Sequence, residues 1–168
     1  MINSKAKGSS FERKVAGALS DWSGMEFHRT PMSGALHWSN DKRVISDIVP
    51  PQDLADWPLS IECKKVEYDW DFSTIMSGTS TFWKHWKQAE DDAEREGLKP
   101  LLIFSKNRRE IYSVMRTEDH NKLFTDQLSS VIHVEKGSNK LSIILFKEFL
   151  EHTTLDKVLN FLKNFLSP

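Results

Sequence analysis

Residues 44–65 constrain the fold of this chain more than any other stretch, because two short apolar runs flank a turn-rich connection there, in VISDIVPPQDLADWPLSIECKK. In the second run, residues 59–64, apolar and polar side chains alternate with the two-residue period of a β-strand. The apolar positions are Leu59, Ile61 and Cys63, and the polar positions are Ser60, Glu62 and Lys64. The pattern predicts a strand that buries one face and holds a carboxylate beside an ammonium group on the other.

Asp47 lies near the end of the first apolar run, residues 44–49. Pro50 and Pro51 end that run, because proline has no N–H group to donate to a strand ladder. Antiparallel pairing of the two runs would bring Asp47 beside Glu62. A Glu-x-Lys pattern alone is weak evidence of a site, since on a solvated strand it would be a surface ion pair of little energetic value. The aspartate on the preceding strand favours a catalytic cluster instead.

Length and composition limit the class of protein. The 168 residues suit a single domain, which we expect to span residues 1–168. The formal net charge of -1 argues against a generally basic surface, so contacts with nucleic acid would come from local patches. The single cysteine, Cys63, excludes an internal disulfide, and no histidine or cysteine spacing is typical of a zinc site. No stretch resembles a signal peptide or reaches membrane-spanning length, so we expect a cytoplasmic protein with no membrane partner.

The amino-terminal third predicts a helix followed by a strand and a loop. Apolar residues recur at helical spacing over residues 9–22, and Ser9 with Glu12 forms a capping-box pattern at the start. Capping is therefore as good an explanation of Glu12 as catalysis. Residues 25–29 predict a short strand, residues 29–34 a turn-rich segment, and residues 35–43 a mobile loop. The polar residues of this loop suit a contact with DNA, but loops are also polar for ordinary reasons.

The remaining chain predicts alternating helices and strands. Residues 66–80 indicate a loop, and an amphipathic helix that Gly97 closes follows it. The apolar stripe of this helix consists of Phe82, Trp86, Ala89 and Ala93. The run at 101–104 predicts a strand buried on both faces with a hairpin partner at 111–115. A capped helix, a hairpin at 131–135 and 141–146, and a final helix at 154–166 follow, so the class is α/β.

Tryptophan is frequent, with six residues in the chain. Trp22, Trp83 and Trp86 lie in or beside helical stripes and are expected in the core. The other three lie in predicted loops, so their role stays open between core packing and base stacking. They are Trp38, Trp57 and Trp70.

Four motifs in order give the chain a family resemblance. They are Lys7-Gly8-Ser9-x-x-Glu12-Arg13, Phe27-x-Arg29-x-Pro31-x-Ser33-Gly34, Asp47-Ile48 and Ile61-Glu62-Cys63-Lys64. This succession resembles the archaeal-type Holliday junction resolvases of the PD-(D/E)xK nuclease superfamily. The resemblance covers the chain to about residue 115, with longer connections after residues 34 and 65 and an unmatched tail after residue 117.

The resemblance implies a restriction-endonuclease-like core, in which helices flank a central mixed sheet over about residues 7–116. Residues 117–168 would be a carboxyl-terminal α/β elaboration. The implied catalytic residues are Glu12, Asp47, Glu62 and Lys64. The implied metal ligands are Asp47, Glu62, the backbone carbonyl of Cys63, and Glu12. The implied DNA contacts are Lys7, Arg13, Arg29, Ser33 and Lys65, with Gln88 as a further candidate.

The chemistry of phosphodiester hydrolysis supports the same central residues. It needs a nucleophilic water and a stabilised leaving oxyanion, which carboxylate-bound Mg²⁺ supplies, with Mn²⁺ expected to substitute. Asp47 and Glu62 are hard oxygen ligands for such an ion. Lys64 can orient or help deprotonate the water and offset charge on the phosphoryl oxygens.

Three functions remain open on this sequence. The first is a structure-selective endonuclease that resolves four-way DNA junctions. Because a junction needs two incisions and each chain has one cluster, this function predicts a symmetric homodimer. The second is a restriction-type or repair nuclease acting on duplex DNA, and the third is a non-catalytic DNA-binding protein of the same fold. The intact set of Asp47, Glu62 and Lys64 argues against the third.

Overall fold

The structure, a computed structural model, describes residues 4–30, 46–67, 69–124, 128 and 130–161. Its helices are α1 (Ser4–Ser23), α2 (Phe72–Met76), α3 (Phe82–Arg95), α4 (Thr117–Leu123), α5 (Phe146–His152) and α6 (Leu155–Asn160). Its strands are β1 (His28–Arg29), β2 (Ile48–Val49), β3 (Leu59–Val66), β4 (Lys99–Lys106), β5 (Ile111–Arg116), β6 (Ile132–Lys136) and β7 (Asn139–Leu145).

Five strands form the central sheet in the order β3-β4-β5-β7-β6, and β1 pairs with β2 in a separate small sheet. Strands β3 and β4 run parallel because α3 carries the chain from one to the next, and the other pairs of the central sheet are antiparallel. The prediction of an α/β fold with a mixed sheet flanked by helices is confirmed.

Apolar side chains cover both faces of this sheet. On one face, α1, α4, α5 and α6 pack against residues such as Ile61 and Ile103. On the other, α2 and α3 pack against residues such as Leu102 and Phe104. Neighbouring residues of β4 therefore enter different cores, which confirms that the run at 101–104 is buried on both faces.

Helix α1 begins earlier than the sequence indicated. It starts at Ser4, so Ser9 and Glu12 both lie inside the helix. The capping-box interpretation of these two residues is therefore wrong, because a capping residue precedes the first helical turn. Helix α1 ends before Gly24, whose φ of 70° is the left-handed conformation that glycine adopts without strain.

The pairing predicted between the two runs of residues 44–65 is also wrong. Strand β2 pairs with β1, matching Ile48 to Arg29, rather than with β3. The predicted strand at 25–29 is reduced to His28–Arg29, and residues 44 and 45 lie outside the described part of the chain. The sequence pattern gave both strands a buried face but could not select the partner of either.

Two further segments differ from the expectations. Residues 66–80 are not all loop, because α2 lies within them and buries Ile75. Trp57 and Trp70, which stayed open between core and stacking roles, are both buried in the core, and Trp38 is outside the described residues. Their aromatic rings are therefore unavailable for base stacking in this conformation.

The carboxyl-terminal residues complete the central sheet. The predicted hairpin is present as β6 and β7, and β7 pairs directly with β5. Helix α5 was missed, because Phe146 begins a helix instead of ending the strand. The predicted last helix is described as Leu155–Asn160, and residues 162–168 lie outside the description. The division into a core and an elaboration stays a prediction.

Candidate active site

Asp47 occupies the free edge of the central sheet. Strand β3 is the outermost strand, so the outward N–H and C=O groups of its backbone have no strand partner. The N–H of Asp47 donates to the Ile61 carbonyl at 3.1 Å, and its Oδ2 accepts from the Cys63 N–H at 2.8 Å. These two bonds flank Glu62 on β3, so the structure brings Asp47 to Glu62 without pairing their strands.

Glu62 and Lys64 lie on the face of β3 that is turned toward α3. Their parallel partners on β4 are Leu102 and Phe104, which enter the core beneath α3. The Lys64 Nζ donates to Glu62 Oε1 at 2.5 Å, and the two side chains are only 26% and 16% exposed. A partly buried pair of this kind does not fit the interpretation of a solvated surface ion pair.

The electrostatic environment raises the pKa of two groups in this cluster. Burial and then the Glu62 charge raise the pKa of Asp47 to about 7, against the opposing effects of the Cys63 N–H and Lys64. Burial lowers the pKa of Lys64, but the carboxylates of Glu62 and Asp47 outweigh it and raise that pKa overall. The cluster therefore favours a cation, either Lys64 or another positive charge at the same place.

Glu12 reaches the cluster from α1. It is 8% exposed and accepts a hydrogen bond from the Nε of Arg29 on β1. Its negative charge contributes to raising the pKa of Asp47, so it acts on the cluster electrostatically. Glu12 is thus a third carboxylate whose charge reaches this edge of the sheet.

The donor chemistry of these carboxylates fits a divalent cation, but their arrangement is not yet a coordination sphere. In the described part of the chain, no three His, Cys, Asp or Glu side chains are grouped to hold a metal. Each carboxylate is engaged instead, by Arg29, by the Cys63 N–H or by Lys64. Mg²⁺ is bound by hard oxygen donors such as carboxylates. Carboxylates held near one another repel, and a cation between them relieves that repulsion. The residues that could hold the ion are therefore Glu12, Asp47 and Glu62.

The residues predicted to contact DNA differ in whether their charges are paired and in how exposed they are. Lys7 is ion-paired with Glu67, and Arg29 with Glu12, so both charges are already balanced. Arg13 is exposed on α1. Lys65 lies on the face opposite Lys64, with its Nζ 5.6 Å from the ring centre of Phe11. Gln88 is exposed on α3, and Ser33 lies outside the described residues.

The sequence analysis missed His85 of α3. Its ring is half-buried, 5.5 Å from the ring of Trp70, and its Nδ1 is buried without a hydrogen bond in the described structure. Burial and the charges of Lys64 and Lys84 lower its pKa. The helix that carries it, α3, covers the same face of the sheet as the Glu62–Lys64 pair. The sequence feature that could have indicated this position is that His85 directly precedes Trp86, a residue of the apolar stripe.

PD-(D/E)xK nucleases have a mixed sheet flanked by helices, with an aspartate and a Glu-x-Lys strand at the edge of the sheet. This chain has the same arrangement. Residues 3–160 match the family described as "Phage putative PDDEXK endonuclease", and the chain belongs to this family. Membership of the superfamily is therefore confirmed, whereas the archaeal-type resolvase specificity stays a prediction.

A curated relative is similar over nearly its whole length. Protein D14 of Escherichia phage T5 is 29% identical over 162 residues, which cover 94% of this chain and 98% of that protein. No solved structure matches the chain. Among the helices of the described residues, none has the length and apolar character that crossing a membrane requires.

Proposed function

We propose that this nuclease is a metal-dependent, structure-selective DNA endonuclease that hydrolyses phosphodiester bonds in branched DNA and resolves four-way junctions. The observation that carries the catalytic part is the partly buried cluster of Asp47, Glu62 and Lys64 at the free edge of the sheet. Junction preference is supported by the order of the four sequence motifs. We place the protein in the cytoplasm, where its DNA would be.

The chain's own residues divide the work of hydrolysis. A bound Mg²⁺ would supply a nucleophilic water and offset charge on the leaving oxygen, and Mn²⁺ is expected to substitute. Asp47 and Glu62 would hold the ion together with the Cys63 carbonyl, and Glu12 would complete the acidic set. The raised pKa of Lys64 keeps it protonated, so it would orient the water and stabilise phosphoryl charge by donating hydrogen bonds.

The pairing of Arg29 supports a role beyond a phosphate contact. Its guanidinium forms an ion pair with the Glu12 carboxylate. Because Arg29 lies on β1 and Glu12 on α1, this ion pair links the two elements at the site. Arg29 would become available to a phosphate once Glu12 turned to a metal ion. Arg13 and Lys65 are the members of the predicted DNA-contacting set whose charges no described carboxylate balances.

A nuclease acting on duplex DNA is the second candidate. The resolvase resemblance does not cover β6 and β7, which belong to the same sheet as the catalytic strand. These strands could therefore give the protein a preference for duplex DNA instead of junctions. The catalytic cluster would be the same in both cases. Substrate comparison therefore separates these candidates, and substitution in the cluster separates both from a non-catalytic DNA-binding protein.

The test is cleavage of a four-way junction, a flap and a linear duplex in Mg²⁺ by Glu62→Gln and Lys64→Ala variants. We expect each variant to lose cleavage by on the order of a hundredfold or more while it still binds DNA, because these groups act on developing charge rather than on packing. Glu151→Gln, an exposed carboxyl on α5, is the matched control and should cleave normally.

Two results would contradict parts of this proposal. Near-normal cleavage by Glu62→Gln would remove the catalytic assignment. Equal cleavage of the junction and the linear duplex by the wild-type protein would remove the junction preference and leave a general nuclease.

A further inference from the structure

The turn between β4 and β5, residues 106–109, is fixed against the end of β3. The Arg109 N–H donates to the Lys106 carbonyl at 3.0 Å and closes the turn. The Asn107 N–H donates to the Val66 carbonyl at 3.2 Å and ties the turn to the strand that carries the catalytic pair. We call residues 106–109 the β4–β5 turn.

Hydrogen bonds connect this turn to Lys65. The Lys65 Nζ donates to Ser105 Oγ at 3.0 Å, and that hydroxyl donates to the Arg109 carbonyl at 3.2 Å. On its other side, Lys65 packs over Phe11 of α1 and lies close enough to Lys14 for its pKa to be lowered by burial and by that charge. Basic residues thus lie on α1, on β3 and in the β4–β5 turn, and Lys65 stands between them through its contact with Phe11 and its hydrogen bond to Ser105. This basic strip consists of Arg13, Lys14, Lys65, Arg108 and Arg109.

Few carboxylates oppose this positive charge. Glu67 is ion-paired with Lys7, and Asp71 is ion-paired with Lys106 at 2.7 Å, so both are already balanced. Glu110 is exposed next to the turn and offsets one charge. Within the described residues, the guanidinium groups of Arg108 and Arg109 have no hydrogen bond or ion pair, and both side chains are exposed.

Arg108 has a backbone conformation that its side chain does not favour. Its φ is 58°, in the left-handed region where glycine and asparagine are the favoured residues and other residues cost on the order of 1 kcal/mol. Its side chain is exposed, and among the described residues it makes no hydrogen bond or ion pair that would offset that strain. A contact within the protein therefore does not account for an arginine with this φ, whereas a contact with a bound molecule does.

We propose that the basic strip is a contact surface for the sugar–phosphate backbone of the DNA substrate, and that Arg108 and Arg109 hold phosphates beyond the catalytic cluster. The inference rests on the proposed nuclease function and adds the path of the bound strand. Guanidinium groups suit this contact because their planar N–H groups match phosphate oxygens. Lys65 points to the α1 side of β3, opposite Lys64. Helix α1 also carries Glu12, whose charge acts on Asp47. A backbone that follows the strip would therefore run along the α1 side of the sheet edge where the catalytic cluster lies. Such contacts position DNA without reading its sequence.

The experiment measures DNA binding by Arg108→Gly and Arg109→Ala in EDTA, on a four-way junction and a linear duplex, over a series of salt concentrations. We expect each variant to bind both DNAs about threefold to tenfold more weakly, and to lower the slope of log affinity against log salt by about one. Lys140→Ala, an exposed position near the start of β7 on the opposite side of the sheet from β3, removes one charge as the matched control and should leave affinity and slope unchanged.

Thermal unfolding of Arg108→Gly separates a binding role from a structural one. Glycine accepts the φ of this position, so the variant should melt at the wild-type temperature or above it. A lower midpoint would show that Arg108 holds the fold and would overturn its assigned role. Arg108→Asn, which also tolerates this φ, repeats both the binding and the unfolding measurement as a second variant.

The two proposals fail in different ways. If the wild-type protein cleaves DNA but Arg108→Gly and Arg109→Ala keep its affinity and salt slope, the basic strip is wrong and the nuclease function stands. If both variants lose affinity as expected while no DNA is cleaved in Mg²⁺ or Mn²⁺, the strip stands and the nuclease function is wrong.

Discussion

At the scale of single residues, Asp47 is the most costly group of the site to keep charged. Its pKa is raised from the ordinary value of 3.8 to about 7, so the folded state favours the neutral carboxyl. The stability that this group contributes is therefore fully present below pH 3.8 and is lost as pH rises through about 7. Asparagine keeps the oxygen that accepts from the Cys63 N–H and removes the charge. We therefore expect Asp47→Asn to raise the free energy of unfolding by on the order of 1–3 kcal/mol at about pH 8 without metal.

The measurement is denaturant unfolding in EDTA at about pH 8 and about pH 5, where the gain should shrink because the wild-type carboxyl is then protonated. Asp53→Asn, an exposed carboxyl, is the control and should change little at either pH. A variant that is less stable than the wild type at both values would show that the charged Asp47 stabilises the fold. The gain in stability should accompany a loss of cleavage, as is common for groups held at a site for function.

At the scale of elements, the start of α3 depends on the connection that precedes it. Asp69 and Trp70 both have positive φ, of 61° and 51°. The Oδ2 of Asp69 accepts from the Thr81 N–H at 2.8 Å and from Thr81 Oγ1 at 2.7 Å, and these bonds hold the pKa of Asp69 well below its usual range. This connection also places Trp70 against His85 and Phe104, beneath the helix.

We expect Asp69→Ala to lower the melting temperature more than Asp69→Asn does. Alanine removes both hydrogen bonds and tolerates the left-handed conformation poorly, whereas asparagine keeps an acceptor and adopts that conformation readily. Because the pKa of Asp69 is lowered, its contribution is present above the ordinary pKa and is lost as pH falls. Thermal unfolding at neutral and acid pH checks both points. Equal midpoints for the two variants would contradict a stabilising role of the hydrogen bonds between Asp69 and Thr81.

At the scale of the whole molecule, the homodimer predicted from the sequence needs a surface that the described apolar stripes do not supply. The stripe of α3 is inside the core, with Phe82 and Trp86 fully buried. In α6, Val158 is buried, and Leu155 and Leu159 pack against the same core. Among the described residues, Met76 is the large apolar side chain that stands exposed. A dimer built from this surface would therefore have a largely polar interface.

We expect the protein to associate into a homodimer that weakens as salt is raised, because polar and charged contacts are screened by ions. Light scattering over a salt series measures this. A cruciform plasmid assay that separates one nick from two measures whether the two active sites act together. A monomer at every salt concentration that only nicks the cruciform would rule out paired incision.

The sequence by itself determined the elements whose apolar pattern is local. The alternation in β3, the stripe of α3 and the run in β4 each specify which side chains are buried, so Glu62 and Lys64 could be placed on one face in advance. Only the tertiary structure decided the partner of β2, the ion pair of Glu12 with Arg29, and the packing of His85 against Trp70. The physical reason is that periodicity fixes the face of an element, whereas contacts between distant residues depend on how the faces are packed together.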